Sequence, residues 1–228
     1  MFGVLANFVG VIIGSAAGLL AKKAIPDSWS DVIMKGIGLC TLYIGFSGAL
    51  AGENTIILII SMVAGAIIGE GLKIEERFDG FAYRVEEKFK GGNFAKGFIT
   101  ASLLMCAGAM SIVGALDAGI KGDNTLLLTK TVMDFISAIV LSASLGMGVI
   151  FACITVLVLE GGIVLIADAA SPFLTDWVIN EMSCAGSVLI VALGLNLVLD
   201  TKLKILNYMP AMFLPLLLCP LFNAAGLS

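Results

Sequence analysis

Ionisable and amide side chains set inside long apolar runs are the residues of this chain with chemistry to offer. Lys130 and Asp134 lie four apart in the apolar segment 125–143, and Ser137 and Ser144 continue their helical face. A charge at the centre of a bilayer costs about 2.5–3.5 kcal/mol on insertion scales, so this stripe must point away from lipid. Two readings fit: a structural pair whose members neutralise each other, or a charged lining for a solute or ion path. Glu160 is followed by Gly161 and Gly162. A double glycine lets a helix unwind, and carbonyls freed beside a carboxylate suit a cation or proton site; a buried neutral carboxyl without a ligand is the alternative. Asn7, Asn196 and Asn223 are amides within apolar segments, fit either to bind a solute or to hydrogen-bond neighbouring helices.

Other chemistries are excluded by residue type. The chain has no His, which removes imidazole triads, imidazole zinc sites and the commonest general base. Its five cysteines stand singly in apolar sequence, with no pair at metal or redox spacing, and read as buried small side chains. No phosphate-cradling glycine loop occurs. The expectation is a chain that is not an enzyme, with no metal, no cofactor and no nucleic-acid partner.

The elements that position these residues are membrane helices. Of 228 residues, 59% are hydrophobic and 13% charged, against roughly 25% charged in soluble domains. The mean hydropathy is +1.07. Met1 to Leu20 lacks a basic leader and is long enough to cross a bilayer, so it reads as the first span rather than a cleaved signal. Apolar windows of about 20 residues fall near 3–21, 32–51, 54–72, 96–116, 125–143, 146–167, 178–199 and 209–226. This predicts an all-α integral membrane protein of about eight transmembrane helices. The count is seven if the last window, interrupted by Pro210, Pro215 and Pro220, does not cross. Between the third and fourth windows, Ile74, Phe78, Phe81, Val85 and Phe89 recur at helical spacing among charged residues, the pattern of an interfacial amphipathic helix over 73–95.

Eleven of the 13 basic residues fall on one side of an eight-span model: Lys22, Lys23, Lys35, Lys73, Arg77, Arg84, Lys88, Lys90, Lys96, Lys202 and Lys204. The positive-inside rule puts that side in the cytoplasm and both termini outside it. A shift of 146 residues lays Val32-Ile33 on Val178-Ile179, Thr41 on Ser187, Ile44 on Ile190 and Gly48 on Gly194. Spans one to three then match spans six to eight in opposite orientation, an inverted repeat of the kind that recurs in secondary transporters. The halves are 1–72 and 146–228, with a central helix pair over 96–143. Small residues at three-four spacing, among them Gly10, Gly14, Gly18, Gly45, Gly48, Gly108 and Gly114, mark helix-packing seams. So many small faces lead one to expect a homo-oligomer, with a two-fold dimer favoured.

The stretches Gly97 to Leu104, Cys106 to Gly114, Leu127 to Asp134 and Asn7 to Gly18 resemble the YqgA-like (YdfK-like) bacterial membrane proteins, domain of unknown function 554. Ala192 to Leu197 and Asn207 to Pro210 extend the likeness to nearly the whole chain. Glu160 stands where the resemblance implies an amide. The resemblance implies a bacterial integral membrane protein, of a kind often labelled a transporter, with no established substrate. The expected function is a secondary transporter or ion-coupled carrier of a small solute across the inner membrane. Its path candidates are Lys130, Asp134, Ser137, Glu160, Gly161, Asn7 and Asn196. A passive channel and a non-transporting structural or regulatory membrane protein are the rivals.

Overall fold

A computed structural model describes residues 1–22, 27–78, 80, 94–106, 109–170 and 172–224. All the elements formed by these residues are helical. They run α1 (Phe2–Lys22), α2 (Asp27–Ala49), α3 (Thr55–Leu72), α4 (Phe94–Cys106), α5 (Ala109–Ile120), α6 (Thr125–Leu145), α7 (Ala152–Ala170), α8 (Asp176–Leu199), α9 (Ile205–Tyr208) and α10 (Pro215–Ala224). Short 3-10 turns, Met147–Phe151 and Met209–Met212, lead into α7 and follow α9. Among the described residues, five segments are long and apolar enough to cross a membrane: Phe2–Ala21, Thr55–Leu72, Thr125–Leu145, Met147–Ala169 and Asp176–Leu199. Two bent pairs, α4 with α5 and the α9 segment with α10, raise the number to as many as seven if each is one span. The 23-residue α2 is as long as these.

Apolar side chains cover the outward faces as well as filling much of the core. Ile56, Ile59, Val63 and Ile67 on α3 are exposed, as are Val132, Met133, Ile136 and Val140 on α6. Asn7, Ser15, Ser61, Ser111, Lys130, Asp134 and Glu160 are buried. In a hydrocarbon solvent the polar groups, not the apolar ones, are driven inward.

Helix ends are set locally. Asn54 caps α3, its Oδ1 accepting from the amides of Ile56 (3.0 Å) and Ile57 (3.3 Å), and Thr175 caps α8 through Val178 N–H. Lys73 and Asp200 adopt left-handed φ of 51° and 52° and stop α3 and α8. Before α6, the Asp123 carboxylate accepts from the Thr125 amide (2.9 Å) and hydroxyl (2.7 Å), bonds that hold its pKa below the usual carboxylate range. Asn124 Oδ1 takes the Gly3 amide at 2.9 Å and so pins the start of α1 to the start of α6.

Glycine seams fix both register and direction. A Cβ added at Gly3, Gly10, Gly14 or Gly18 would strike Leu127, Thr131, Phe135 or Ile139 in turn, so α1 and α6 pack in parallel. Gly38, Gly45, Gly48 and Gly52 abut Val198, Val191, Ser187 and Cys184, so α2 and α8 are antiparallel. Gly65 meets Ala211 and Gly69 meets Asn207, which lays α3 antiparallel on the last segment. Gly114 rests on Leu126 and Leu127. The named seams that are described thus lie within one chain, which leaves them no free face for a second copy. Gly108, and most of the expected amphipathic helix over 73–95, lie outside the described residues.

The expected interruption of the last window is present. Pro210 sits in the 3-10 turn, Pro215 begins α10, and the two pieces meet at 42°. A second bend, 59° between α4 and α5, falls where the sequence reads as one straight span from 96 to 116.

Candidate functional site

Three helices place the candidate residues together. Asn7 and Val11 share one face of α1, Lys130 and Asp134 one face of α6, and Glu160 projects from α7. The Asn7 amide nitrogen donates to Asp134 Oδ2 at 2.9 Å and to both Glu160 oxygens at 3.2 Å. Lys130 Nζ is paired with Asp134 Oδ2 and lies 3.2 Å from Glu160 Oε1. Asn7 and Glu160 have no exposure, and Lys130 and Asp134 only 5% and 6%. Asn7 Oδ1 has no partner among the described residues.

Apolar layers close the cluster on both sides. One helical turn toward the start of α1 and α6, Val4 and Leu127 pack with Ala118, Leu157 and Val164. In the other direction Val11, Ala138 and Val156 join Met105, Cys106 and Leu141. The charges therefore sit in a low-dielectric pocket where each Coulomb interaction is strong and each unpaired charge expensive. Two carboxylates face one ammonium, so with all three groups ionised the cluster carries one surplus negative charge.

The other candidates are placed elsewhere. Ser137 is half-buried at the edge of the α6 stripe, and the buried hydroxyl on that helix is Ser142. Glycines 161 and 162 do not unwind the chain: α7 is continuous from Ala152 to Ala170, because in an apolar medium a freed carbonyl has nothing else to bond. A Cβ at Gly161 would only brush Val4, and one at Gly162 would meet nothing. Asn196 is not in the cluster. Its amide binds the following turn, donating to Leu203 O (3.0 Å) and accepting from Leu203 N–H (3.1 Å) and the Thr201 hydroxyl (2.5 Å).

Two polar groupings were not singled out in the sequence. Glu181, 1% exposed, accepts the amides of Glu53 and Asn54 on Oε1 at 2.7 Å each, which ties the α2–α3 turn to α8 at the positive end of α3. The sequence signal is an acid in the second turn of a Thr175-capped helix, just before a long apolar run. At the opposite end, Asn207 donates to Glu70 (2.6 Å) and accepts the Glu75 amide (2.8 Å), while Glu75 takes the Leu206 amide (3.0 Å). These bonds staple the segment after α3 to α9.

A cleft of about 480 Å³ lies beside the cluster. Its walls are Ser102, Leu103 and Cys106 of α4, Thr155 and Leu159 of α7, and Met209 and Met212, and it opens outward between the exposed apolar side chains of Ile154, Val158, Ile166 and Phe213. Both bent segments thus border one space. Ser102 and Thr155 are hydrogen-bonded to each other at 3.0 Å. Cys106 faces the cleft and also feels the charges of Lys130, Glu160 and Asp134.

A helical bundle with lipid-facing apolar surfaces and a sealed ionic cluster defines a multi-span membrane protein. Comparison with known sequences agrees. The chain belongs to the family described as protein of unknown function (DUF554), which matches residues 2–220. It is 32% identical to the uncharacterized membrane protein YdfK of Bacillus subtilis (strain 168), over 100% of this chain and 99% of that protein. It is 24% identical to the uncharacterized protein YqgA of Escherichia coli (strain K12), over 98% of each. No solved structure matches the chain.

Asn7→Leu tests whether the amide matters to the cluster. It removes the donor shared by Asp134 and Glu160 and should lower stability by about 1–3 kcal/mol, the usual cost of leaving buried polar groups unsatisfied. Thermal melting in detergent reads this out, and an unchanged melt would show that the amide bonds contribute nothing.

Proposed function

We propose that the protein is a small secondary transporter of the bacterial inner membrane, an ion-coupled carrier rather than an enzyme, whose coupling ion binds at Asn7, Lys130, Asp134 and Glu160. The observation that carries this reading is the surplus negative charge of a sealed cluster. A lone buried ion pair is self-sufficient, whereas two carboxylates on one lysine call for one more positive charge, an exchangeable proton or monovalent cation. The cleft between the bent segments, whose wall at Cys106 lies within electrostatic range of the cluster, is the space we assign to a solute.

An inverted repeat would fit the same reading. Under the 146-residue shift, spans two and seven are partners, and Gly45 packs on Val191; spans three and eight are partners, and Gly65 packs on Ala211. Each contact joins residues 146 apart in antiparallel helices, as a two-fold axis in the membrane plane requires. Spans one and six, also partners, meet through Asn7 and Glu160. Counting α2 and each bent pair as one crossing would make eight spans, a number that fits halves at 1–72 and 146–228 and, with the asymmetry of Lys and Arg, both termini outside the cytoplasm. A dimer would have to form through lipid-facing side chains, since the named seams are occupied within the chain.

Orientation has a direct check. Lys121→Cys should react with a membrane-impermeant maleimide on intact cells, and Lys73→Cys only after permeabilisation. Labelling of Lys73→Cys from outside would reverse the assigned topology.

Transport is tested with purified protein in liposomes, by recording solute-induced currents across a panel of inorganic ions and small metabolites. A current that needs an ion gradient and is lost in Asp134→Asn supports the carrier. Gradient-independent conductance would favour a channel, and silence across the panel, with solute-independent melting, a structural protein.

A further inference from the structure

We infer that the ion held by this site is a proton, carried on Glu160, and that it reaches the cluster from the end where α1 and α6 begin. The inference rests on the carrier reading for its purpose but on separate geometry for its content. A dehydrated metal cation requires a cage of oxygens to replace its water. Here α1, α6 and α7 pass the cluster as unbroken helices, so their carbonyls are committed to their own hydrogen bonds. Only side-chain oxygens remain: Asp134 Oδ2 and both Glu160 oxygens already accept from Lys130 or Asn7, and Asp134 Oδ1 with Asn7 Oδ1 is too few for a cage. The neutral partner left over is Asn7 Oδ1, a fully buried acceptor with no donor among the described residues. An acceptor beside a carboxylate is matched by an O–H, which a protonated carboxyl or the water delivering its proton provides.

Glu160 rather than Asp134 takes the proton because it is the more loosely held. Asp134 has the close Lys130 contact and the shorter Asn7 bond, 2.9 Å, whereas every Glu160 bond is 3.2 Å. Lys130 and Asp134 then stay ionised as a pair. One proton forms an O–H bond on Glu160, the surplus charge falls to zero, and release of that proton restores it. The titratable groups around Glu160 are Lys130 and Asp134 from α6 and the Cys106 thiol from α4; α1 contributes only the amide. Access is shorter from one end. A single layer (Val4, Ala118, Leu127, Leu157 and Val164) separates the cluster from the polar Gly3–Asn124 junction.

Infrared difference spectroscopy of purified protein tests this. Wild type at neutral pH should show one protonated-carboxyl band that moves on carboxyl labelling of glutamate but not of aspartate. The band should vanish in Glu160→Gln, and also in Asp134→Asn, where a single ionised Glu160 suffices to balance Lys130. No such band in wild type, or a band that survives Glu160→Gln, would overturn the assignment. So would thermal stabilisation by sodium that Glu160→Gln abolishes. The band together with absence of any transport would leave the proton site standing and remove the carrier reading; sodium-dependent transport without the band would do the reverse.

Discussion

Lys130→Met should nearly abolish recoverable folded protein, while Glu160→Gln should melt at or above the wild-type temperature. The ammonium is 5% exposed and balances two carboxylates in apolar surroundings. Removing it leaves the Asp134 carboxylate without its counter-charge, a loss of about 3–5 kcal/mol, against total stabilities of roughly 5–15 kcal/mol for folded domains. Glu160→Gln instead replaces the protonated carboxyl by a neutral amide and leaves Lys130 paired with Asp134. The double change Lys130→Met with Asp134→Leu should recover much of the loss, giving a strong coupling in a double-mutant cycle. Size-exclusion recovery and melting in mild detergent measure all three. If Lys130→Met folds like wild type, water already solvates the ammonium, and the cluster lines an open path instead of a sealed site.

The second large effect concerns the seams. A Cβ at Gly69 would lie 1.8 Å from Asn207 O, and one at Gly18 2.2 Å from Ile139 O, both backbone atoms that cannot step aside. Gly69→Ala and Gly18→Ala should each cost about 1–3 kcal/mol or more by overpacking, and Leu at either position should prevent assembly of the bundle. Gly36 and Gly162 have nothing within 4 Å of an added Cβ. Alanine there should be neutral or stabilise the helix by up to about 1 kcal/mol. Equal melting of Gly69→Ala and Gly162→Ala would mean that α3 does not pack on the last segment at this register.

What could be read from sequence follows the range of the interactions. Lys130 and Asp134 are one helical turn apart, so periodicity alone brings them together. Asn7 and Glu160 could each be singled out as polar residues in apolar runs. Their meeting depends on contacts across 153 residues, which local periodicity cannot specify. Ser137 was expected to extend the α6 stripe because it lies seven residues beyond Lys130. The buried positions Leu127, Lys130, Asp134, Ala138, Leu141 and Leu145 instead follow a three-four alternation that leaves Ser137 at the edge. Gly161-Gly162 offered a place to unwind, but the energy of intrahelical bonds in an apolar medium overrides the glycine preference. The proline-marked bend before α10 was visible from residue type; the bend between α4 and α5 has no proline to announce it. Glu181 and Asn207 look like ordinary span-end polar residues until the turns they hold are folded against them.

On the carrier reading, a sealed cluster with one exchangeable positive charge drives solute movement. The most direct test is gradient-driven flux in proteoliposomes, comparing wild type with Glu160→Gln at matched folded amounts. Glu160→Gln should remain folded, show undiminished thermal stability, and lose gradient-driven flux at least tenfold. Wild-type flux in a well-folded Glu160→Gln would contradict the carrier reading and return the cluster to a purely structural role.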